Sequence, residues 1–338
     1  MTPIVSVILP AFNAAAFLGR AISSMRAQTF DDWELIVVDD GSRDKTAQVA
    51  EVAAAGDMRI RCVRIDHGGI VAALNTGIAE AHGRFIARMD ADDEMSPRRL
   101  AEQVALLEAQ SELGVASCLV AFGGDRAAAR GYALHVDWIN TLVEPAEIAH
   151  NRFVESPVAH PSVMFRRELV ERHGGYRDGA WPEDYELWLR WMDAGVLFAK
   201  VPEVLLRWND PPERLSRRHP RYAIESFYAC KCHYLARWLQ REVSPSRAIW
   251  LWGAGRITRR RFRGLVEASV DLAGYIDIDA RKAGRVIGGR PVIVPDALPS
   301  PETCFVISGV GTRGARELIR AALVARGFRE GTDFLMAA

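Results

Sequence analysis

The strongest constraint on this chain is the regular alternation, over its first 125 residues, of short β-rich runs with helical patterns. Ile4 to Leu9, Leu35 to Val38, Ile60 to Ile65, Phe85 to Met89 and Val115 to Phe122 read as strands. Between them Ala15 to Ala27, Lys45 to Ala55, Ile70 to Ala81 and Pro97 to Ala109 read as helices, the last with Ser96 as N-cap and Pro97 at its first position. Strands spaced by helices predict βαβ units and a parallel sheet, and their Val and Ile content predicts burial on both faces. From Val143 to Arg207 the pattern loosens around an apolar stretch, Pro161 to Phe165, and a helical segment, Tyr185 to Met192, predicting an α+β half that completes the first domain. A new strand opens at Ala248-Ile249-Trp250-Leu251 and starts a second αβ series. With 338 residues and about 150 per domain, the expected division is a first domain over 1–210, a helical connector over 211–245 and an αβ domain over 246–338.

Composition narrows the function classes. A hydrophobic fraction of 49% with 25% charged residues excludes a disordered or fibrous chain. Lys+Arg 43 against Asp+Glu 43 leaves no bulk field toward nucleic acid, so no nucleic-acid partner and at most peripheral membrane contact are expected. No window reaches the ~18 apolar residues of a membrane span, and the start of the chain has no leader pattern. The odd count of five cysteines, mostly in apolar runs, fits reduced thiols. A cytoplasmic location follows, reaching at most the inner face of the membrane. Cys230-Lys231-Cys232 lacks the two-residue spacer of a metal or redox motif.

In an open parallel sheet a ligand lies outside the carboxyl ends of the strands. Here those ends read Pro10-Ala11-Phe12-Asn13, Asp39-Asp40-Gly41-Ser42, Asp66-His67-Gly68-Gly69 and Asp90-Ala91-Asp92-Asp93. Asp90 and Asp92 are two apart, so on extended backbone both point to one side and can share a hard cation, Mg²⁺ or Mn²⁺. Such cations bind through one or two carboxylates plus substrate phosphates, which a nucleotide diphosphate would supply. The competing reading has Asp92 and Asp93 opening the next helix, and Ser96 as cap argues against it. Asp40 can accept the imide N–H of uracil or the N1–H of guanine, or else cap the helix after Ser42. Gly68, Gly69, Ala72, Ala73 and Gly77 give the third helix a small face, suited to close approach of the sheet or of a phosphate. Glu183 and Asp184 open an amphipathic helix with Leu187, Trp188, Trp191 and Met192 at helical spacing. A carboxylate there can take a proton from an attacking hydroxyl, or simply complement the helix dipole.

Ser6-Val7-Ile8-Leu9-Pro10-Ala11-Phe12-Asn13, Val37-Val38-Asp39-Asp40-Gly41-Ser42-Arg43-Asp44, Asn75-Thr76-Gly77, Gly83 to Asp93 and Glu183-Asp184-Tyr185-Glu186-Leu187-Trp188 form an ordered set over about residues 4–220. The set resembles the GT-A glycosyltransferases of family 2. The resemblance implies a GT-A nucleotide-diphospho-sugar transferase fold and a metal-dependent, inverting transfer of a sugar from a UDP-, GDP- or dTDP-sugar. The implied acceptor is a glycan or lipid-linked saccharide, as in cell-surface polysaccharide synthesis. By the same resemblance Pro10, Ala11, Asn13 and Asp40 hold the nucleotide and Asp90 meets the ribose. Asp92 would hold Mn²⁺ or Mg²⁺, and Asp184, with Glu183 beside it, would act as base. His160 would lie near the donor sugar, and Arg207, Ser216 and Arg217 where related enzymes fold a loop over the diphosphate; a structural histidine and a solvated arginine face are the alternatives. His67 stands where the family often has an amide.

Trp252-Gly253-Ala254-Gly255-Arg256-Ile257-Thr258 follows a strand, and Asp277 lies 22 residues after Gly255, close to a dinucleotide fingerprint. Thr258 replaces its third glycine, and the remaining segment is too short for a dinucleotide fold plus a substrate domain. The tail resembles the small Rossmann-like modules of sugar-modifying enzymes, so Gly253, Gly255 and Asp277 are a possible second nucleotide site beside a packing role. A sugar nucleotidylyltransferase would need a glycine-rich loop after the first strand, where Pro10-Ala11-Phe12-Asn13 stands. An NAD-dependent oxidoreductase and a non-catalytic sugar-nucleotide binding protein complete the alternatives.

Overall fold

The computed structural model describes residues 2–211 and 214–338; Met1, and Pro212 and Glu213 of the expected connector, lie outside the described residues. The chain divides into two compact units. The first takes the described residues of 1–148, 158–179 and 186–218, the second those of 149–157, 180–185 and 219–338.

The first unit carries strands β1 (Val5–Ala11), β2 (Trp33–Asp40), β3 (Ile60–Ile65), β4 (Phe85–Arg88), β5 (Glu94–Met95), β6 (Leu113–Phe122), β7 (Met164–Arg166) and β8 (Leu197–Trp208), in the order β3-β2-β1-β4-β7-β6-β8-β5. The first four are parallel, as the alternation predicts. β7 is antiparallel to both its neighbours and β5 to β8, which gives the looser second half its mixed character. The helices α1 (Ala15–Arg26), α2 (Thr46–Gly56), α3 (Ile70–Ala79), α4 (Arg99–Ala109), α5 (Arg130–Ile139), α6 (Pro145–Asn151), α7 (Glu168–His173), α8 (Glu183–Asp193) and α9 (Leu215–Arg218) complete the element order up to Arg218. β1 and β2 are buried along their whole length, whereas β3, at the sheet edge, is mostly half-exposed rather than buried on both faces.

Packing follows the helical period. α1 buries Leu18, Ala21, Ile22 and Met25, one face at i, i+3, i+4 and i+7. On α3 the small face serves the sheet: a Cβ at Gly77 would lie 2.4 Å from Ile8 Cγ2, so only glycine lets the helix approach β1 this closely. Trp188 and Trp191 are fully buried; each removes on the order of 200 Å² from water, about 5 kcal/mol of transfer free energy before entropy. One expectation fails. Ser96 does not cap the fourth helix, which starts at Arg99 without a side-chain cap. The Ser96 N–H instead donates to the Leu205 carbonyl of β8, because β5 intervenes between the acidic turn and the helix.

The second unit begins with α10 (Ile224–Glu242), followed by β9 (Ala248–Trp252), α11 (Arg256–Arg261), α12 (Arg263–Glu267), β10 (Leu272–Ile276), β11 (Val286–Ile287), β12 (Arg290–Ile293), β13 (Cys304–Ser308), α13 (Ala315–Ala325) and β14 (Phe334–Met336). Its sheet order is β11-β12-β10-β9-β13-β14, parallel except for the β11–β12 hairpin, a Rossmann-like doubly wound arrangement. α10 packs on α11 and α12 and buries Cys230 and Cys232 as free thiols. Among the described residues no helix is long and apolar enough to cross a membrane.

Candidate active site

The parallel register of β1 and β2 brings Ala11 beside Asp39, so the two strand ends leave the sheet together. Pro10 and Ala11 are buried in β1. Asn13 follows in the left-handed region (φ 50°), which a short amide side chain tolerates. Its Oδ1 accepts from the Arg43 N–H at 2.9 Å, and its own N–H donates to Ser42 Oγ at 2.9 Å. Asp44 receives the Thr46 N–H that opens α2 and the Ala15 N–H that opens α1, at 2.9 and 3.1 Å. Burial alone would raise its carboxyl, but these bonds hold it below the ordinary value. Asp44, not Asp40, therefore serves the start of α2.

Asp40 is buried and accepts the N–H groups of Gly68 and Gly69 at 2.8 and 3.0 Å, tying β2 to the loop before α3. His67 Nδ1 lies 3.0 Å from its Oδ2, and the His67 ring stacks on Phe12 at 4.2 Å. A carboxylate offers about four lone-pair sites, so a further N–H can still be accepted.

The end of β4 is the most charged part of the site. One carboxylate oxygen each from Asp90, Asp92 and Asp93 lie within 4.8 Å of one another. Arg88, buried in β4, places Nη2 2.6 Å from Asp90 Oδ1. Burial would lower the Arg88 pKa, but the Asp90 charge carries it above the ordinary value. Asp92 is pushed up to about 6, by burial first and the Asp90 charge second. Asp93 is raised well above its ordinary value by burial, then by Asp90 and Asp92. Asp93 Oδ1 accepts the Asn209 N–H at 2.8 Å, while its buried Oδ2 has no hydrogen-bond partner among the described residues. Three hard oxygen donors and an orphaned oxygen suit a divalent cation. A cleft of about 410 Å³ opens beside this turn, lined by Asp92, Glu94, Arg20, Arg207, Asn209 and Asp210 among others.

Of the other expected residues in the first unit, His160 is buried, with Nε2 2.7 Å from the Tyr176 hydroxyl and its ring edge-on to Trp188. Burial, then the Arg88 charge, holds it well below the ordinary imidazole value, so it is neutral at pH 7. Arg207 lines the cleft and donates through Nε to Asn209 Oδ1 at 3.1 Å. Arg217 pairs with the buried Asp210 carboxylate, and Ser216 Oγ is buried without a hydrogen-bond partner among the described residues.

In the second unit, Glu183 is buried and receives the Tyr222 hydroxyl at 2.7 Å, with Arg221 Nη1 at 3.6 Å. Asp184 next to it is half-buried, with Oδ1 2.7 Å from the Tyr185 N–H. Gly253 has φ 123°, and a Cβ there would lie 2.9 Å from Thr258 Cγ2. Thr258 Oγ1 donates to the carbonyl of Gly309, the residue after β13, at 3.2 Å, so its side chain occupies the space between the glycine turns after β9 and β13. Gly255 precedes α11, which has only six residues. Asp277 Oδ2 lies 2.7 Å from Lys282 Nζ.

Arg88, Asp93 and Asn209 carry much of this geometry and were not singled out from sequence. Arg88 left a signal: a charge, itself buried, at the end of an otherwise apolar strand. Asn209 left none, since nothing in its spacing links it to residues over a hundred positions away.

The comparisons agree with this geometry. The family described as "Glycosyl transferase family 2" matches residues 6–174, half of the chain. EpsE of Bacillus subtilis (strain 168), named as a glycosyltransferase, is 29% identical over 283 residues, covering 78% of this chain and 98% of the relative. The O-antigen biosynthesis glycosyltransferase WbnJ of Escherichia coli is 26% identical over 246 residues, covering 71% and 90%. Among solved structures, the mannosyltransferase PcManGT from Pyrobaculum calidifontis, in complex with GDP-Man and Mn²⁺, superposes with a TM-score of 0.54 at 20% identity, covering 80% of this chain and 69% of that one. That likeness concerns the fold, which is GT-A. By the family match the chain belongs to glycosyltransferase family 2 and is a glycosyltransferase.

Proposed function

We propose that this enzyme uses a divalent cation, Mn²⁺ or Mg²⁺, to transfer a sugar with inversion from a UDP-, GDP- or dTDP-sugar to a glycan or lipid-linked saccharide. The observation that carries the reading is the acidic turn at the end of β4, where three carboxylates repel one another beside a cleft. Asp92 would hold the cation, which when bound neutralises charge on the leaving diphosphate. GDP-Man and Mn²⁺ on the PcManGT fold, and the O-antigen role in the name of WbnJ, support the donor class and a place in cell-surface polysaccharide synthesis. Pro10, Ala11 and Asn13 would frame the nucleotide, Asp40 accept a base N–H, and Asp90, oriented by Arg88, accept from a ribose hydroxyl.

Inversion needs one group to take the proton of the attacking hydroxyl. Asp184 suits it better than Glu183, whose carboxylate is buried against Tyr222 and Arg221. His160, neutral and bonded to Tyr176, and the arginines 207 and 217 with Ser216 remain candidates for the sugar and diphosphate. Gly253, Gly255 and Asp277 are the weaker candidate for a second nucleotide.

The test is calorimetry of UDP, GDP and dTDP with and without Mn²⁺. Cation-dependent binding by wild type, lost in Asp92→Ala with the fold retained, is expected; equal binding without cation would refute the assignment. We assign the transfer chemistry to a domain over 1–210, joined by the connector 211–245 to the Rossmann-like domain 246–338. A chain ending before Ser246 is expected to keep cation-dependent nucleotide binding, because the Asp92 cleft draws only on the first unit. Its melting temperature falls, because α10 loses α11 and α12.

A further inference from the structure

We infer that Asn209 is a positioning residue of the acidic turn, fixing the chain at the Asp92 carbonyl and at the Asp93 side chain that follows it, and so setting how strongly the Asp92 carboxylate holds a divalent cation. The inference rests on the reading of Asp92 given above.

Asn209 is the first residue beyond β8 and works through three polar atoms. Its N–H donates to Asp93 Oδ1 at 2.8 Å. Its side-chain Nδ2 donates to the Asp92 carbonyl at 2.7 Å and lies 3.4 Å from Glu94 Oε1. Its Oδ1 accepts from Arg207 Nε at 3.1 Å. The amide is also fixed from behind. A Cβ at Gly123 would lie 2.3 Å from Asn209 Oδ1 and 2.9 Å from its Cα, and the Gly123 N–H donates to the Trp208 carbonyl at 2.8 Å. Glycine at 123 is what allows β6 and the end of β8 to close on the amide.

The turn needs such a clamp because its charges resist the arrangement. Three carboxylates with oxygens within 4.8 Å repel one another. Two neighbours divide them. Arg88 takes Asp90, and Asn209 takes the Asp92 carbonyl and one oxygen of Asp93. The Asp92 carboxylate is left toward the cleft. An amide suits the task because it supplies N–H donors without charge. A lysine or arginine there would cancel the field that attracts a cation, and an acid would add an oxygen facing two others.

The test compares full-length wild type with Asn209→Ala and Asn209→Asp. Mn²⁺ half-saturation is measured by calorimetry, alone and with UDP and GDP, beside melting temperature. Loss of an outer-shell clamp is expected to raise the half-saturation about 10- to 100-fold in the alanine variant and more in the aspartate variant, with nucleotide binding recovering at saturating Mn²⁺. A half-saturation within about twofold of wild type in folded variants, whatever their melting temperature, overturns the inference and leaves Asn209 a turn residue. If neither variant folds, Gly123→Ala, which displaces the amide without removing it, must show the same direction of shift; unchanged affinity there overturns the inference equally. Wild type that binds both nucleotides without cation instead overturns the reading of Asp92, a result the variants cannot mimic.

Discussion

Two regions of this molecule share an architecture and differ in how they treat charge. Both are parallel αβ sheets whose strand ends carry glycines and aspartates. At the end of β4, Asp92 and Asp93 are raised, by burial first and neighbouring carboxylates second. In the second unit Asp277 and Asp333 each have basic partners. Asp277 meets Lys282, and Asp333 meets Arg247 and Arg329, whose bonds hold its carboxyl low against the effect of burial. Thr258 fills the gap between the glycine turns. A fold that can satisfy its charges usually does, so carboxyls left raised at one strand end mark that region for a ligand more specifically than the glycine spacing shared by both.

The largest effect is expected at two neighbouring acids of α8. Glu183 is buried against the Tyr222 hydroxyl and Arg221, and Asp184 is half-buried with Oδ1 2.7 Å from the Tyr185 N–H. Asp184→Asn is expected to keep donor affinity and lower transfer by about 10² to 10⁴, the usual contribution of a general base. Glu183→Gln retains the Tyr222 hydroxyl as partner and should lower transfer less. Turnover of both variants at saturating donor, with a competent acceptor, decides it. Near-normal transfer in Asp184→Asn would place the base at Glu183 first and His160 second.

Stability should separate the two regions by sign. Asp92→Asn removes a carboxylate lifted from 3.8 to about 6 by burial and by the Asp90 charge, and the gain at pH 7 is on the order of 3 kcal/mol. Asp333→Asn breaks a buried pair and leaves Arg247 with backbone carbonyls as its partners, at a loss of about 3 kcal/mol. Urea unfolding of both at pH 7 measures the difference. Stabilisation by both, or destabilisation by both, would erase the contrast between the regions.

The residues that sequence could reach were those announced by period or by strand ends. The alternation of β1 to β4 with their helices was legible because each strand is a short apolar run and each helix has one apolar face. The antiparallel β7 and β5 were not, since three and two residues hold too little pattern to fix a direction. Ser96 misled for a related reason: it continues the β5–β8 pairing, its N–H donating to the Leu205 carbonyl, and the helix starts only at Arg99 with Arg98 in the cap position. Asp40, Asp90 and Asp92 were visible as acids after strands, whereas the partners of two of them come from elsewhere: Gly68 and Gly69 for Asp40, and Asn209 for Asp92 across 117 positions.

The smallest expected effect compares the two regions through one buried lysine each. Lys231 of α10 donates to the Val154 and Ala337 carbonyls, both at 2.8 Å, and lies 4.1 Å from the Tyr228 ring centroid. Carbonyls and ring face favour the ammonium, and so do Glu155 and Cys232; burial outweighs them, helped by Arg261 and Arg316, and pulls the group from 10.5 down to about 7. Lys200 of β8, donating to the Ile139 carbonyl, is likewise pulled to about 7 by burial. Between pH 7 and 10.5 the unfolded chain holds the lysine proton and the folded chain has released it. Stability must therefore rise with pH across that window, by at most about 1.4 kcal/mol per pH unit for each lysine, and stay flat in this respect below pH 7. Methionine keeps the length of the side chain without a titrating group. Lys231→Met should remove the slope from the transition that reports the second unit, and Lys200→Met from the first. A common loss of about 1 kcal/mol, independent of pH, remains for the carbonyls left without a donor. Urea midpoints from pH 7 to 9, followed by hydrogen exchange in β13 and in β6, resolve the two. If Lys231→Met leaves the β13 slope intact, the ammonium persists in the folded state there, and the contacts to two carbonyls and the Tyr228 ring outweigh burial.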